Sequence, residues 1–174
     1  MNKEEFREEL KKKRKEQSTT LINQKSEKIH HNLFSWSLYT ESSSILFYVS
    51  FNSEVNTHSL IKKALNENKQ VYVPISDPKT HTLKISKIMD FKDLSSGTYG
   101  ILEPKKEKMR LVRLDEIDLI IVPGVGFDEQ GHRIGQGGGY YDWLLSTSKA
   151  PSIALAFELQ IQKSIPLEPH DQTV

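Results

Sequence analysis

Residues 117–146 read IDLIIVPGVGFDEQGHRIGQGGGYYDWLLS, and the fold turns on how this stretch is interpreted. Its first six residues form a nearly continuous apolar run of strand length, which suits a strand covered on both faces. Residues 140–146 read as a helix. Between the two lie seven of the chain's nine glycines. Glycine tolerates positive φ and lets backbone N–H groups come close to a ligand, while a helix N-terminus adds partial positive charge. The order strand, glycine loop, helix therefore describes a phosphate cradle at the carboxyl end of a strand, where ligands settle in α/β sheets. A flexible surface loop would carry the same glycines. Arg133, Tyr140, Tyr141 and Asp142 crowded beside them favour a site.

Outward from this stretch the same alternation repeats. Residues 44–49 (SILFYV), 71–75 and 152–157 (SIALAF) are further buried-strand candidates, and Leu83, Ile85 and Ile88 suggest a more exposed strand. Helical spacing covers residues 2–16, where Phe6 and Leu10 lie one turn apart. A second helix is expected from a Ser18 or Thr19 cap to about Tyr39, with Leu21, Ile22, Ile29 and Leu33 facing inward. A third covers 56–68, carried by Leu60, Ile61 and Leu65. This alternation predicts the α/β class: a single three-layer α/β/α domain over residues 1–174 with a largely parallel sheet.

Composition removes several chemistries. A net charge of +1 predicts no polyanionic partner such as nucleic acid. The absence of cysteine removes disulfides, thiolate nucleophiles and cysteine-ligated zinc, and fits a reducing compartment. No apolar run approaches the ~20 residues that cross a bilayer, and the charged stretch from Lys3 lacks a secretory-type apolar segment. The expectation is a cytoplasmic protein with no membrane contact and no obligate protein partner. Residues 11–15, KKKRK, lie among Glu8, Glu9 and Glu16 and read as a solvated helix face. His30 and His31 are adjacent, so on a helix they point apart, unlike a zinc pair. Trp36 and Trp143 are expected in or near the core.

Of two familiar glycine motifs, one fails and the other fits weakly. A Walker loop needs Lys and then Ser or Thr after its last glycine, and Gly139 is followed by Tyr140 and Tyr141. A dinucleotide turn follows its strand directly, whereas Gly135, Gly137, Gly138 and Gly139 come after an intervening arm. Residues 123–142 instead match the pattern PGxxFDxxGxRxGxGxGYYD without a gap, and on that block the chain resembles the 5-formyltetrahydrofolate cyclo-ligase family. Lys3 and Arg7 are similar to that family's N-terminal Lys-x-x-x-Arg pair, residues 49–54 (VSFNSE) to its folate-side segment, and Asp171 to its second acidic residue. The likeness spans nearly the whole chain.

The resemblance implies ATP- and magnesium-dependent conversion of 5-formyltetrahydrofolate to 5,10-methenyltetrahydrofolate, by phosphorylation of the formyl oxygen and ring closure. It implies ATP binding by Lys3, Arg7, Arg133, Ile134, Gly135, Gln136, Gly137, Gly138, Gly139, Tyr140 and Tyr141. Arg133 and Tyr140 carry the catalytic expectation. Val49, Phe51, Glu54, Tyr99, Gln136 and Tyr140 are implied folate contacts, and Asp142 and Asp171 implied magnesium ligands. Without the resemblance, Lys3 and Arg7 read first as helix-surface partners of Glu4 or Glu8, and the resemblance reverses that preference. As a loop arginine, Arg133 is expected to be exposed and dispensable for folding. Relatives carry basic residues at the positions of Gln136 and Gly138, so here the phosphate charge is expected to fall on Lys3, Arg7, Arg133 and the metal. The rival readings are a sugar-phosphate isomerase or acyl-carrier transferase on a similar fold, and a nucleotide-binding regulatory module without chemistry.

Overall fold

The computed structural model describes residues 2–174. Helix α1 (Lys3–Lys15) begins at Asn2, whose side chain accepts from the Glu5 amide while Glu5 accepts from the Asn2 amide. This reciprocal cap satisfies two donors that a helix start leaves open. Helix α2 (Thr19–Phe34) is capped by Ser18 and stops short of the expected end near Tyr39. Trp36 takes an extended backbone before the short α3 (Ser37–Glu41). Serine and threonine in this stretch are weak helix formers, and the break turns Tyr39 into the core. Trp36, expected near the core, is 51 % exposed, and Leu21, expected to face inward, is exposed too. Trp143 is half-buried against the core, as expected.

Strand β1 (Ser44–Phe47), helix α4 (His58–Asn66), β2 (Gln70–Asp77) and β3 (Thr82–Ile88) follow. A hairpin of β4 (Leu94–Ser96) and β5 (Leu102–Pro104) precedes β6 (Leu111–Val112) and β7 (Leu119–Val122). Then come β8 (Gly126–Asp128), β9 (Arg133–Ile134), α5 (Tyr140–Thr147), β10 (Ser152–Ala154) and β11 (Ile161–Gln162).

The main sheet has the order β10-β7-β1-β2-β3-β6. Strands β10, β7, β1 and β2 pair in parallel, while β3 and β6 extend the edge antiparallel. The sheet is thus largely parallel, as expected. Side-chain alternation sorts its residues onto two faces. Ile45, Phe47, Val71, Val73, Leu119 and Ile121 pack with residues of α2, α3 and α4. Leu46, Tyr72, Ile120 and Val122 pack with Leu144 of α5. Cover on both faces is why the paired central stretches 45–47, 71–73 and 119–122 are apolar at every position. Each fully buried Leu or Ile contributes about 1.5–3 kcal/mol, so stability concentrates here. Strand β3, expected to be more exposed than the central strands, buries Leu83, Ile85 and Ile88 while Lys84 is exposed and Thr82 and Lys87 are half-buried.

The stretch expected to be one glycine loop holds a hairpin. Asp128 accepts from the amides of Gln130 and His132, and Gly131 takes φ +81°, closing the turn between β8 and β9. An Asx turn ending on glycine is a sequence signal in its own right. Strand β11 joins in parallel to give a small sheet, β11-β8-β9. Leu10 of α1 packs with Val125, Ile134 and Ile165 beneath it. A Cβ on Gly126 would stand 2.5 Å from Leu10 Cδ1, so glycine is what lets α1 dock this closely. Among the described residues no helix is long and apolar enough to cross a membrane.

Candidate active site

The docked α1 presents Lys3, Arg7, Lys11, Arg14 and Lys15 to a cavity of ≈ 710 Å³. Their spacing of three or four residues puts them on one helical face. The segment 135–142 lines it as well, and so do residues 48, 49 and 51–54, Tyr99, and Glu168, His170 and Asp171 near the C-terminal end of the chain. Every residue expected at the site lines this cavity, with one exception. Ile134 is fully buried with Leu10, Val125 and Ile165. Alternation along β9 turns Arg133 toward the cavity and Ile134 into the core.

Arg133 corrects another expectation. It is 3 % exposed, set in a strand, and donates from Nη2 to Asp142 Oδ1 at 2.7 Å. Its Nε has no partner among the described residues, and its guanidinium carbon lies 6.0 Å from the centre of the Tyr141 ring. The glycines around it meet specific demands. A Cβ on Gly135 would come within 2.7 Å of Arg133 Nη1, and one on Gly138 within 2.6 Å of the Tyr140 ring. Gly137 and Gly139 have φ +102° and +72°, and Gly139 is the N-cap of α5, whose first residues Tyr140, Tyr141 and Asp142 line the cavity. These are the features of an anion cradle.

Arg7 donates from Nε to the Gly135 carbonyl at 2.9 Å and pairs with Glu4. Lys3 donates to both oxygens of Asp171, at 2.5 and 2.7 Å, and to Glu168 at 2.8 Å. Burial alone would lower the Lys3 pKa, but its bonds to Asp171 and Glu168 outweigh this and raise it. Burial pushes Asp171 up, and the Lys3 ammonium together with the Glu168 amide more than reverses that, leaving the carboxyl below its usual range. Each carboxylate expected to bind metal is therefore held by a cation expected to bind phosphate. Glu168, His170 and Asp171 bring ligand atoms within 4.8 Å of one another, and Asp142 is not part of that group.

At the other end, Glu54 accepts from the Phe51 amide at 2.9 Å and from the Gln136 side chain at 3.4 Å. Burial raises the Glu54 pKa, with the Phe51 amide, Arg14 and Gln136 pulling the other way. Phe51 and Tyr99 are exposed at the rim, and Val49 is buried in the wall. Tyr99, itself at φ +57°, places its hydroxyl 3.3 Å from that of Tyr140. That contact, then burial, pushes the Tyr140 phenol up to about 12, so at neutral pH it is a hydrogen-bond donor and not a base. Arg14, Tyr48, Glu168 and His81 escaped the sequence reading. His81 lies in the β2–β3 turn and reaches the Gly138 carbonyl at 3.0 Å. The helical spacing of Lys3, Arg7, Lys11 and Arg14 was the available signal for Arg14.

With this geometry in view, comparison with known proteins is direct. The profile of the 5-formyltetrahydrofolate cyclo-ligase family matches residues 1–174. The chain belongs to that family. It is therefore an enzyme, a ligase of folate metabolism. The 5-formyltetrahydrofolate cyclo-ligase of Haemophilus influenzae is 33% identical over 135 residues, covering 75% of this chain and 72% of that protein. The mouse cyclo-ligase is 30% identical over 147 residues, covering 78% and 72%. Among solved structures, the 5,10-methenyltetrahydrofolate synthetase of Aquifex aeolicus matches with a TM-score of 0.88 at 30% identity, over 100% of this chain and 87% of that one. The corresponding synthetase of Mycoplasma pneumoniae, at 22% identity and TM-score 0.76, shares the fold over 100% of this chain and 96% of its own.

Proposed function

We propose that residues 1–174 act as one cyclo-ligase domain that converts 5-formyltetrahydrofolate to 5,10-methenyltetrahydrofolate, with ATP yielding ADP and phosphate. The observation that carries this reading is one cavity lined both by an anion cradle (Lys3, Arg7, Arg133 and the glycines) and by a half-buried carboxylate with aromatic neighbours (Glu54, Phe51, Tyr99, Tyr140). A formyl oxygen is a poor leaving group. Its attack on the γ-phosphorus, with departure of ADP, turns it into phosphate; the neighbouring amine nitrogen then closes on the formyl carbon, loses its proton, and phosphate leaves. This sequence needs alignment and charge neutralisation, not a protein nucleophile.

The chain's residues supply those needs in defined places. Lys3 and Arg7 grip the phosphate chain from α1, and the backbone of 135–139 holds it as well. Arg133, aimed by Asp142 and desolvated by burial, meets the charge that develops on the transferring group. Glu54 accepts hydrogen bonds from the pterin, Val49, Phe51 and Tyr99 wall the ring, and Tyr140 donates toward the formyl end beside Gln136. Asp142 and Asp171 fit magnesium as hard oxygen donors beside the cradle, and a carboxylate or two with phosphate oxygens is the usual donor set for that ion. When bound there, magnesium would neutralise phosphate charge. The cysteine-free composition supports a cytoplasmic setting.

An absorbance assay tests the reading: protein, 5-formyltetrahydrofolate, magnesium and ATP, watched for the near-ultraviolet band of the methenyl product. The band is expected only with every component present. A band without ATP, or none with all components, sinks the proposal.

A further inference from the structure

Arg14 lies on the cavity wall, and the chemistry proposed above leaves it unused. It is 5 % exposed. Its Nε donates to Ser53 Oγ at 3.1 Å and its Nη1 to the Gly124 carbonyl at 3.0 Å. Lys3, Arg7 and Arg133 each contact a carboxylate, whereas among the described residues none lies within 4.0 Å of Arg14. An arginine stays protonated, and a buried charge without a contact partner is costly. Burial works against the Arg14 charge, and the Glu54 carboxylate is the main group that supports it.

The bonds Arg14 makes have a direction. Ser53 immediately precedes Glu54, so the grip on its hydroxyl aims the loop that carries this carboxylate. Gly124 opens the segment that carries Arg133, and its carbonyl also accepts from Gln160 at 2.9 Å. One guanidinium thus ties both walls of the cavity to α1.

We propose that Arg14 is a positioning residue that holds Glu54 in place as an anion and thereby sets affinity for the folate. This rests on the reading of the Glu54 wall as the folate side. The groups facing Glu54 are the Phe51 amide, the Gln136 side chain, Tyr48, Tyr141 and Arg14. Burial, then Glu54, pushes the Tyr48 and Tyr141 phenols up, so both stay neutral. Gln136 carries no charge. Arg14 is the positive charge in this set, and it pulls down a carboxyl that burial pushes up. Its removal lets the Glu54 pKa climb, so the anion is lost at a higher pH.

The test separates charge from bracing. Arg14→Gln keeps a hydrogen-bond donor and drops the charge, whereas Arg14→Lys keeps the charge. Carboxyl carbon-13 NMR of glutamate-labelled protein reads the Glu54 midpoint without any turnover. The Gln variant should raise it by roughly one pH unit and the Lys variant by less than about half of that. Below the wild-type Glu54 midpoint, where a one-unit shift cuts the anion fraction about tenfold, the Gln variant should raise KM for the folate by up to roughly tenfold and KM for ATP less than about twofold. The acid limb of kcat/KM should move up in pH, and Arg14→Gln should add no further loss in a Glu54→Gln background. An unmoved midpoint in the folded Gln variant overturns the proposal, and so does an equal rise in both KM values. Should the Gln variant not fold, the Lys variant decides: KM for the folate within about threefold of wild type supports the charge role, and a larger rise overturns it. Wild-type protein that turns over no folate would sink the functional reading, with the titration still deciding what Arg14 does to Glu54.

Discussion

At the glycine-loop end of the cavity every cation proposed to bind phosphate touches a carboxylate: Lys3 meets Asp171 at 2.5 Å, Arg133 meets Asp142 at 2.7 Å, and Arg7 meets Glu4. At the opposite end Glu54 and Arg14 sit in the wall with no oppositely charged atom within 4.0 Å among the described residues. The first end is balanced before any ligand arrives, and an incoming polyanion can take over partners that the carboxylates already orient. The second end keeps its charges dependent on burial and on each other at longer range, where low polarity strengthens and shifts them. A balanced end should tolerate loss of ligand contacts by weakening chemistry; an unbalanced end should respond through affinity and pH.

The largest effect tests the balanced end. Arg133→Ala should lower kcat by roughly 10²–10³-fold, the scale of losing a donor to developing charge. Because Arg133 is buried and ion-paired, the same change should cost about 3 kcal/mol of stability, seen as a lower denaturation midpoint. A kcat loss under about tenfold would show that charge does not develop at this end. Next, Glu54→Gln should weaken folate binding roughly tenfold to a hundredfold, as expected for losing hydrogen bonds to a charged acceptor, while ATP titrations stay unchanged. Equal weakening of both ligands would erase the distinction between the two ends.

A smaller effect is expected at Gly139. A Cβ there meets nothing within 4 Å, yet φ is +72°, so Gly139→Ala should cost about 1–2 kcal/mol from backbone strain alone. Thermal melts and ATP titration check it; an unchanged melt would mean the cradle relaxes freely. Smaller still is Asp171→Asn. The folded pKa of Asp171 lies below its ordinary value of 3.8, so its pairing with Lys3 stabilises the fold above that pH and the contribution is lost as pH falls below it. The variant should be about 1 kcal/mol less stable at neutral pH, with the gap closing in acid. A gap that persists at pH ~2 would assign the effect to something other than this charge.

Local sequence was enough wherever one segment carried the whole signal. The parallel strands were legible because cover on both faces leaves unbroken apolar runs, as at 45–47 and 119–122. That the glycines, Arg133 and Asp142 share one cavity wall was legible because they fall within a few residues of each other. Tertiary structure alone decided the remainder. It broke the second helix at Trp36 so that Tyr39 could enter the core, and it folded the glycine stretch into a hairpin whose alternation buries Ile134 and aims Arg133. It also turned Arg14, one of five basic residues in a run that reads as a solvated face, into a buried brace between two walls. The physical reason is that burial belongs to the docking of α1 against β8 and β9, a contact between residues more than a hundred positions apart, and no local pattern records which helical face such a contact will cover.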